Sequence, residues 1–254
     1  MPKFSLSNLW GSLYPPKNLP PQSFYRLGAD CQIPGLGLLY EKYLGLTTEG
    51  CFVEVGAYDG EYVSNTCALA DMGWKGFYIE PVPEYFERCR KRHAGNGAVL
   101  VRNVAIGDRE DTVTLNIGGP LSTMNDKMVD NFLELDWAKT LFSTREQITV
   151  KQVTLQEFLT AQQVPVNFDL LVIDVEGYEW TVLKNFDIAL WQPKMVIIEL
   201  HDTNDDYLLI RQECLDIVDY FERNGYRPVF KDNTNTVFVS AEYAEGQIQD
   251  GAPT

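Results

Sequence analysis

The residues of this sequence that could do chemistry are acidic side chains at the ends of apolar runs, close to glycines. The first group lies in residues 53–60 (VEVGAYDG), where an apolar run passes into a glycine-containing turn and then a helix. Gly56 and Gly60 let the backbone turn sharply and approach a ligand closely, and N–H groups at the start of the helix suit a carboxylate or a phosphate. We therefore predict a ligand-binding turn. Its lining residues are Glu54, Gly56, Ala57, Asp59 and Gly60.

The GxxxG spacing of the two glycines indicates which ligand this turn would bind. A dinucleotide site requires GxGxxG, so NAD and FAD are disfavoured. An acidic strand end suits a cationic cofactor instead, because carboxylates attract positive charge. S-adenosylmethionine carries a sulfonium and an ammonium group, and we expect it here. Taken alone, the motif is also compatible with an ordinary tight turn.

A second acid closes the next apolar run, about twenty residues further on, at the place where dinucleotide folds carry their ribose-binding acid. This acid is Glu80, and Pro81 follows it. A carboxylate there can accept hydrogen bonds from two ribose hydroxyls, and a surface glutamate before a turn is the alternative. Asn103 and Ala105 end the third run, with Asp108 after them, and we predict that they lie near the adenine.

A third group follows two further apolar runs. Asp174 and Glu176 come after one run, and a glycine next to them allows another tight exit. Glu199, His201 and Asp202 come after the other. Since these runs are predicted neighbours in a sheet, the acids are expected to face the methyl group of the cofactor and the acceptor.

These groups are positioned by segments that alternate between strand and helix patterns. Near-continuous apolar runs at 51–55, 169–174 and 195–200 predict central strands buried on both faces. Further strands are predicted at 76–80, 99–104, 112–117, 148–153, 227–230 and 236–240. Helices are predicted at 61–72, at 83–93, after a capping box at 154–157, and at 206–224. His93, at the end of the second of these helices, is expected at the surface.

Alternating strands and helices indicate an α/β fold with a doubly wound sheet. The last two extended runs lie close together around a turn signal, which predicts an antiparallel hairpin. The order is that of a class I methyltransferase, so we predict a Rossmann-like, seven-stranded sheet with a terminal antiparallel hairpin. Its site would lie at the carboxyl ends of the central strands.

The domain organisation follows from the same patterns. Residues 1–48 are predicted to form a Pro-containing N-terminal arm and a lead-in helix, 49–241 the Rossmann-like domain, and 242–254 a flexible tail. Residues 118–147 are poorly patterned and are a candidate substrate lid. Their aromatic residues, Phe132, Trp137 and Phe142, could pack against an acceptor, or could simply anchor the segment to the core.

Four stretches of this sequence, together with shorter ones at 153–158 and 196–200, carry a resemblance to a known family. They are FVEVGAYDGEYVSNT (52–66), GWKGFYIEP (73–81), NVAIGD (103–108) and LLVIDVEGYEWTVL (170–183). They resemble the FkbM-family S-adenosylmethionine-dependent methyltransferases over about residues 50–200. The resemblance implies O-methylation of a hydroxyl on a sugar, a glycan or a secondary metabolite. By position it assigns Glu80 to the ribose of the cofactor, and Asp174 and Glu176 to the neighbourhood of the methyl group. The residues that it implies line the cofactor are Glu54, Gly56, Ala57, Asp59 and Gly60.

Two routes to an activated acceptor hydroxyl stay open. In the first, His201 is a general base, because its ordinary pKa near 6.5 suits proton transfer, and Asp174, Glu176 or Glu199 orients it or takes the proton instead. In the second, Asp174 with Glu199 or Asp202 holds a hard divalent cation such as Mg²⁺, which polarises the hydroxyl. The sequence assigns no metal ligand set.

Composition excludes several classes of partner. Asp plus Glu is 36 and Lys plus Arg is 21, a net charge of −15, which argues against nucleic acid and against an anionic membrane surface. A small-molecule or glycan acceptor fits better, and a homo-oligomer is left open. Five widely spaced cysteines and no bilayer-length apolar run predict a reduced, cytoplasmic protein.

Two other function classes stay open. An NAD-dependent oxidoreductase on a similar sheet is disfavoured by the missing GxGxxG motif. A non-catalytic binding module that keeps the fold is disfavoured by acids at three successive strand ends.

Overall fold

The computed structural model of the protein describes residues 23–27 and 31–244. Most of the predicted arm and most of the predicted tail therefore lie outside the described residues. In chain order, the strands are β1 (Cys51–Val55), β2 (Lys75–Ile79), β3 (Val99–Arg102), β4 (Ala105–Gly107), β5 (Asp111–Asn116), β6 (Gln147–Thr154), β7 (Leu170–Ile173), β8 (Met195–Glu199), β9 (Tyr226–Lys231) and β10 (Asn235–Ser240).

The helices lie before, between and beside these strands. They are α1 (Leu36–Leu44), α2 (Cys67–Asp71), α3 (Pro83–Arg92), α4 (Asp126–Glu134), α5 (Leu155–Ala161), α6 (Glu179–Leu183), α7 (Ile188–Trp191) and α8 (Arg211–Arg223), with a 3₁₀-helix (Asp205–Ile210) before α8. None of the helices in the described part of the chain combines the length and the apolarity that a bilayer crossing needs.

The main sheet has seven strands in the order β3-β2-β1-β7-β8-β10-β9. Strands β3, β2, β1, β7 and β8 are parallel, whereas β10 pairs antiparallel with both β8 and β9. Every residue of β1, β7 and β8 is buried, because apolar layers cover both faces of the sheet. The predicted seven-stranded sheet and its terminal hairpin are confirmed.

Alternate residues of the central strands enter two different apolar layers. Val53 and Val55 belong to the larger one, and Phe52 belongs to the other. The second layer includes aromatic residues from before β1: Tyr25 packs edge-on against Tyr40 and against Trp74. Residues 23–27 and α1 are therefore part of the core, which fixes the chain that leads into β1.

A second, three-stranded sheet has the order β4-β6-β5. The strands predicted at 112–117 and 148–153 are present in it, as antiparallel partners. The strand predicted at 99–104 ends at Arg102, because Ala105–Gly107 leave the main sheet and pair in parallel with residues 152–154. Between β5 and β6, in the poorly patterned segment, α4 is capped by Asn125, whose side chain accepts a hydrogen bond from the N–H of Lys127.

Two of the predicted helices differ from the structure. Within 61–72 only Cys67–Asp71 is helical, because Asp59 Oδ1 accepts hydrogen bonds from the N–H groups of Glu61 and Tyr62 and holds that stretch in turns. The expected helix start with free N–H groups directly after the glycine turn is therefore wrong. The helix predicted at 206–224 breaks at Tyr207, so a 3₁₀-helix precedes α8. The capping box that starts α5 is confirmed.

Candidate active site

The glycine turn after β1 is packed against the end of β7. Gly56 has φ +88, and a Cβ on it would lie 1.7 Å from the main-chain oxygen of Asp174. Gly60 has φ +74, and a Cβ there would lie 2.7 Å from Cys89 Sγ. The N–H groups of Gly56 and Ala57 both donate to the carbonyl of Ile79 at 3.0 and 3.1 Å. Glycine is required at both positions. The first two N–H groups of the turn already donate to a main-chain carbonyl of the protein.

Glu80 fastens this turn to the end of β2. Its carboxylate accepts hydrogen bonds from the N–H groups of Tyr58 and Val82 at 2.8 and 2.7 Å. Burial raises the pKa of Glu80 to about 8, although these two bonds oppose the shift. Glu80 is thus a buried residue that positions the turn, and the surface alternative does not hold.

The residues predicted near the ribose and the adenine lie together beside this turn. Asn103 Nδ2 donates to the carbonyls of Glu80 and Pro81, both at 2.9 Å. Ala105, on β4, is buried in a small apolar cluster with Val82. Asp108 pairs instead with Arg109, and its carbonyl accepts a hydrogen bond from Asn185.

Glu54 is a second buried acid, on the opposite face of β1 from Val53. The Thr66 hydroxyl contacts the Glu54 carboxylate and lies 2.9 Å from the Tyr78 hydroxyl. Burial raises the pKa of Glu54 to about 8, and the nearby carboxyl of Asp174 adds to the shift.

His93, expected at the surface, is buried and stacks on the Tyr78 ring at 4.6 Å. The reason is that the end of α3 packs against the turn, which brings His93 Nε2 to 3.0 Å from the Gly60 carbonyl.

Three predicted residues form a carboxylate cluster at the ends of β7 and β8. Oxygens of Asp174, Glu176 and Glu199 all lie within 4.8 Å of one another. Glu176 and Glu199 are buried, whereas Asp174 is partly accessible. Desolvation and the neighbouring carboxyls raise the pKa of Asp174 and of Glu176 well above its usual range. The cluster holds protons that isolated carboxyls would lose.

The turn that carries Glu176 has a strained backbone. Glu176 has φ +55, which non-glycine residues seldom adopt, and Gly177 follows with φ +86. Glu179, which the sequence analysis did not assign to the site, stabilises this turn: its Oε1 accepts from the N–H groups of Val175 and Gly177 at 3.0 and 3.1 Å. The signal for Glu179 lies in the family-like stretch, three residues after Glu176.

His201 lies behind the carboxylate cluster. Its Nε2 is 3.1 Å from Glu199 Oε1, its Nδ1 is 3.3 Å from the Asn233 carbonyl, and its ring stacks on Tyr207 at 3.7 Å. Burial lowers the pKa of His201 below its ordinary value, so the imidazole is neutral at pH 7. Asp202 does not join the cluster, because it forms an ion pair with Lys231.

The buried acids of this region lack a basic counterpart. Within 23–27 and 31–244, no lysine or arginine forms an ion pair with Glu54, Glu80, Asp174, Glu176 or Glu179. Glu199 Oε2 is buried without a hydrogen-bond partner in the same part of the chain. Uncompensated buried carboxylates are costly, so these acids are either protonated or balanced by a cationic ligand. A sulfonium, an ammonium or a metal ion fits this set of groups.

The candidate lid segment is attached to the same turn. The Thr123 hydroxyl donates to the Glu176 carbonyl at 2.8 Å, and Asn125 Nδ2 donates to the Gly177 carbonyl at 2.6 Å. Two of its aromatic side chains, Phe132 and Phe142, are buried and stacked on each other at 5.3 Å. They anchor the segment to the core, and a lid function of 118–147 stays a prediction.

Comparison with known proteins gives a family and a fold. The profile of the Methyltransferase FkbM domain matches residues 54–228, more than half of the chain. A similar solved structure is the methyltransferase FkbM from Methylobacillus flagellatus KT, 13% identical, with a TM-score of 0.47, covering 76% of this chain and 44% of that one. This chain therefore spans less than half the length of that protein. No curated protein matches the sequence.

Two further solved structures are similar to this chain. Aeropyrum pernix fibrillarin, in complex with natively bound S-adenosyl-L-methionine, is 10% identical with a TM-score of 0.41, covering 79% of this chain and 71% of that one. The ribosomal protein L11 methylase of Lactobacillus delbrueckii subsp. bulgaricus is 12% identical with a TM-score of 0.43, covering 81% and 77%. At these identities the likeness concerns the fold alone.

Proposed function

The chain belongs to the FkbM methyltransferase family, and from that premise we propose that it transfers a methyl group from S-adenosylmethionine to a hydroxyl of a sugar, a glycan or a secondary metabolite. The observation that carries the proposal is the group of acids at the carboxyl ends of β1, β2, β7 and β8, none of which has a lysine or arginine partner in the described part of the chain. This is the edge at which parallel α/β sheets bind their ligands. A cationic cofactor would balance the charge there.

The residues proposed to hold the cofactor lie around the glycine turn. Glu80 and Asn103 would face its nucleoside, and Asp174 its charged end. The complete set is Glu54, Gly56, Ala57, Asp59, Gly60, Glu80, Pro81, Asn103, Ala105 and Asp174. When bound, S-adenosylmethionine supplies an electrophilic methyl group on a sulfonium.

The protein's contribution to the reaction is to place and deprotonate the acceptor hydroxyl. Placement of the oxygen about 3 Å from the methyl carbon accounts for much of the rate in such reactions. We propose that the cluster of Asp174, Glu176 and Glu199, of which Asp174 is the accessible member, meets the hydroxyl and accepts its proton when the cluster is ionised. Glu176 and Glu199 surround Asp174. His201 is enclosed by Glu199, Tyr207 and Asn233, so it would act behind the carboxylates and take up a proton through Glu199.

A divalent cation is the second candidate for activating the hydroxyl. The mutual spacing of Asp174, Glu176 and Glu199 favours it, since three carboxylate oxygens within 4.8 Å suit an oxygen-preferring ion such as Mg²⁺. These three residues would hold the ion, which would polarise the hydroxyl.

Calorimetry followed by mass spectrometry tests the proposed function. The full chain should bind S-adenosylmethionine and S-adenosylhomocysteine but not NAD. Incubation with a panel of sugars, glycans and hydroxylated metabolites should add the mass of one methyl group to an acceptor. Binding of NAD alone would favour the oxidoreductase. Cofactor binding with no methylated product would favour a non-catalytic module.

The proposal also covers the partners and the location of the protein. They are a small-molecule or glycan acceptor, no nucleic-acid or membrane partner, a homo-oligomer as an open option, and a cytoplasmic location.

A further inference from the structure

A hydrogen-bonded chain links three distant parts of the sequence beside the glycine turn. Gln32 Nε2 donates to Asp174 Oδ2 at 3.1 Å, and Asn65 Nδ2 donates to Gln32 Oε1 at 2.9 Å. Cys31 Sγ contacts Asn65 Oδ1 at 3.5 Å. The Gln32 carboxamide is thus held at both ends and has a fixed orientation.

This carboxamide lies at the meeting point of β1 and β7. The main-chain oxygen of Asp174 touches Gly56, so the Asp174 side chain begins where the glycine turn begins. The segment that carries Gln32 is held in place by the core, since Ile33 is fully buried and α1 packs in the core. Gln32 lies outside the family match, which begins at residue 54.

The chemistry of this group of side chains is that of a zwitterion site. Asp174 is a carboxylate that can accept from an ammonium, and it has no lysine or arginine partner among residues 23–27 and 31–244. Gln32 and Asn65 supply carboxamide N–H groups that can donate to a carboxylate. Asn65 is buried, so a hydrogen bond from it to a charged group is formed away from bulk water, where it is stronger.

We infer that Gln32, with Asn65 and Asp174, forms the subsite for the α-amino-acid end of the cofactor. Asp174 accepts from the ammonium, and the two carboxamides donate to the carboxylate. The inference rests on the proposed function, because it takes S-adenosylmethionine as the ligand. It adds to that function a recognition residue from the segment before α1.

The test compares two ligands that differ only at the proposed subsite. S-adenosylhomocysteine carries the amino-acid group, and 5′-methylthioadenosine has the same nucleoside and a thioether but no amino-acid group. Calorimetry on the full chain should show that Gln32→Ala raises the Kd of S-adenosylhomocysteine at least tenfold, the loss expected for a hydrogen bond to a charged group. The Kd of 5′-methylthioadenosine should stay within twofold of wild type.

Two further variants keep the result decisive. Gln32→Glu preserves the size of the side chain and places a negative charge next to the ligand carboxylate. It should therefore raise the Kd of S-adenosylhomocysteine further and leave the Kd of 5′-methylthioadenosine unchanged. Gln212→Ala, an exposed glutamine of α8 that bonds to Asp216, should change neither Kd. Thermal unfolding without ligand checks that the variants are folded.

The outcomes separate the inference from the function on which it rests. An unchanged Kd for S-adenosylhomocysteine in both Gln32 variants overturns the inference, and so does an equal loss for both ligands, which would indicate a general disturbance of the turn. Failure of the wild-type chain to bind either ligand overturns the proposed function and the inference with it.

Discussion

Glu199 and His201 face each other at the end of β8, with the carboxyl Oε1 3.1 Å from the imidazole Nε2. Burial raises the pKa of Glu199 to about 8 and lowers that of His201 below its ordinary 6.5, so their usual order is reversed. Near neutral pH the carboxyl therefore keeps its proton while the imidazole is neutral. The two groups lie next to each other without a hydrogen bond at Nε2 in the described part of the chain, whereas Nδ1 is 3.3 Å from the carbonyl of Asn233.

Stability without ligand should fall as the pH rises from 6.5 to 8. Burial raises the pKa of Glu54 and Glu80 to about 8, far above the value near 4.5 in the unfolded chain, so the folded chain binds more protons throughout this range. Stability therefore decreases with pH until the folded groups have titrated. His93 and His201 have lowered pKa values, so the stability that they contribute is lost only as the pH falls below 6.5. They do not cause the decrease in stability between pH 6.5 and 8.

Urea unfolding at several pH values measures the slope of the unfolding free energy against pH. Glu54→Gln should reduce it by up to about 1.4 kcal/mol per pH unit, the value for one proton. Glu87→Gln, an exposed position on α3 that pairs with Arg90, is the matched control and should leave the slope unchanged. A profile that is flat between pH 6.5 and 8 in the wild-type chain would contradict the burial argument.

The affinity for S-adenosylmethionine should rise over the same pH range, relative to that for S-adenosylhomocysteine. Only the former carries a sulfonium, and Glu199, with a pKa of about 8, attracts it more strongly as its carboxyl loses its proton over this range. Calorimetry at pH 6.5 and 8 should show the ratio of the two Kd values changing several-fold in favour of the sulfonium. A ratio independent of pH would mean that the acids do not face the sulfonium.

Gly56→Ala should destabilise the protein by several kcal/mol or prevent folding. The added Cβ would lie 1.7 Å from the main-chain oxygen of Asp174, so β1 and β7 would have to separate. Gly73→Ala is the matched control, because Gly73 also has a positive φ but has open space around it. It should lose only about 1–2 kcal/mol, the cost of a left-handed backbone for alanine. Thermal and urea unfolding distinguish the two variants. Similar losses of stability would show that the close approach of Gly56 to the main-chain oxygen of Asp174 does not require glycine.

Glu80→Ala should destabilise the turn as well as weaken cofactor binding. The substitution leaves the buried N–H groups of Tyr58 and Val82 without an acceptor, at about 1–3 kcal/mol each. Glu80→Gln keeps one carbonyl oxygen and should lose about half as much. Urea unfolding measures the stability of the variants, and calorimetry measures their affinity for the cofactor. If both variants were as stable as the wild type, Glu80 would not stabilise the turn.

Asp174→Asn and Glu199→Gln should each reduce methyl transfer by about 10²–10⁴-fold, the contribution of general acid–base groups. If the carboxylate route operates, full chelation leaves the wild-type rate unchanged. If a cation is held by the cluster, chelation abolishes the activity, Mn²⁺ or Mg²⁺ restores it, and calorimetry with Mn²⁺ alone detects a site that both variants lose. Wild-type activity in either variant would exclude that residue from both routes.

The central strands were predictable because burial on both faces produces continuous apolar runs. The runs at 51–55, 169–174 and 195–200 match β1, β7 and β8 to within one residue at each end. Their carboxyl ends then place Asp174 and Glu199 side by side, as expected from neighbouring parallel strands. The gathering of Asp174, Glu176 and Glu199 followed from the topology.

Contacts between distant segments were not predictable in this way. The bond between Gln32 and Asp174 spans 142 positions and leaves no local pattern. The three residues of β4 are too few for a periodic signal, and their pairing with β6 decides their place. The turns after Asp59 depend on one side chain that accepts two amides, which overrides the helical spacing of 61–72.

The position of β10 has a consequence for how the chain is made. This strand, the last of those described, lies between β8 and β9, and its first five residues are buried. During synthesis, β8 therefore has no neighbour on that side until residues 235–240 have been translated. Between the synthesis of Glu199 and that of residues 235–240, the growing chain carries an open, apolar strand edge, which is a state prone to association with other chains. Completion of the main sheet therefore waits for the synthesis of β10.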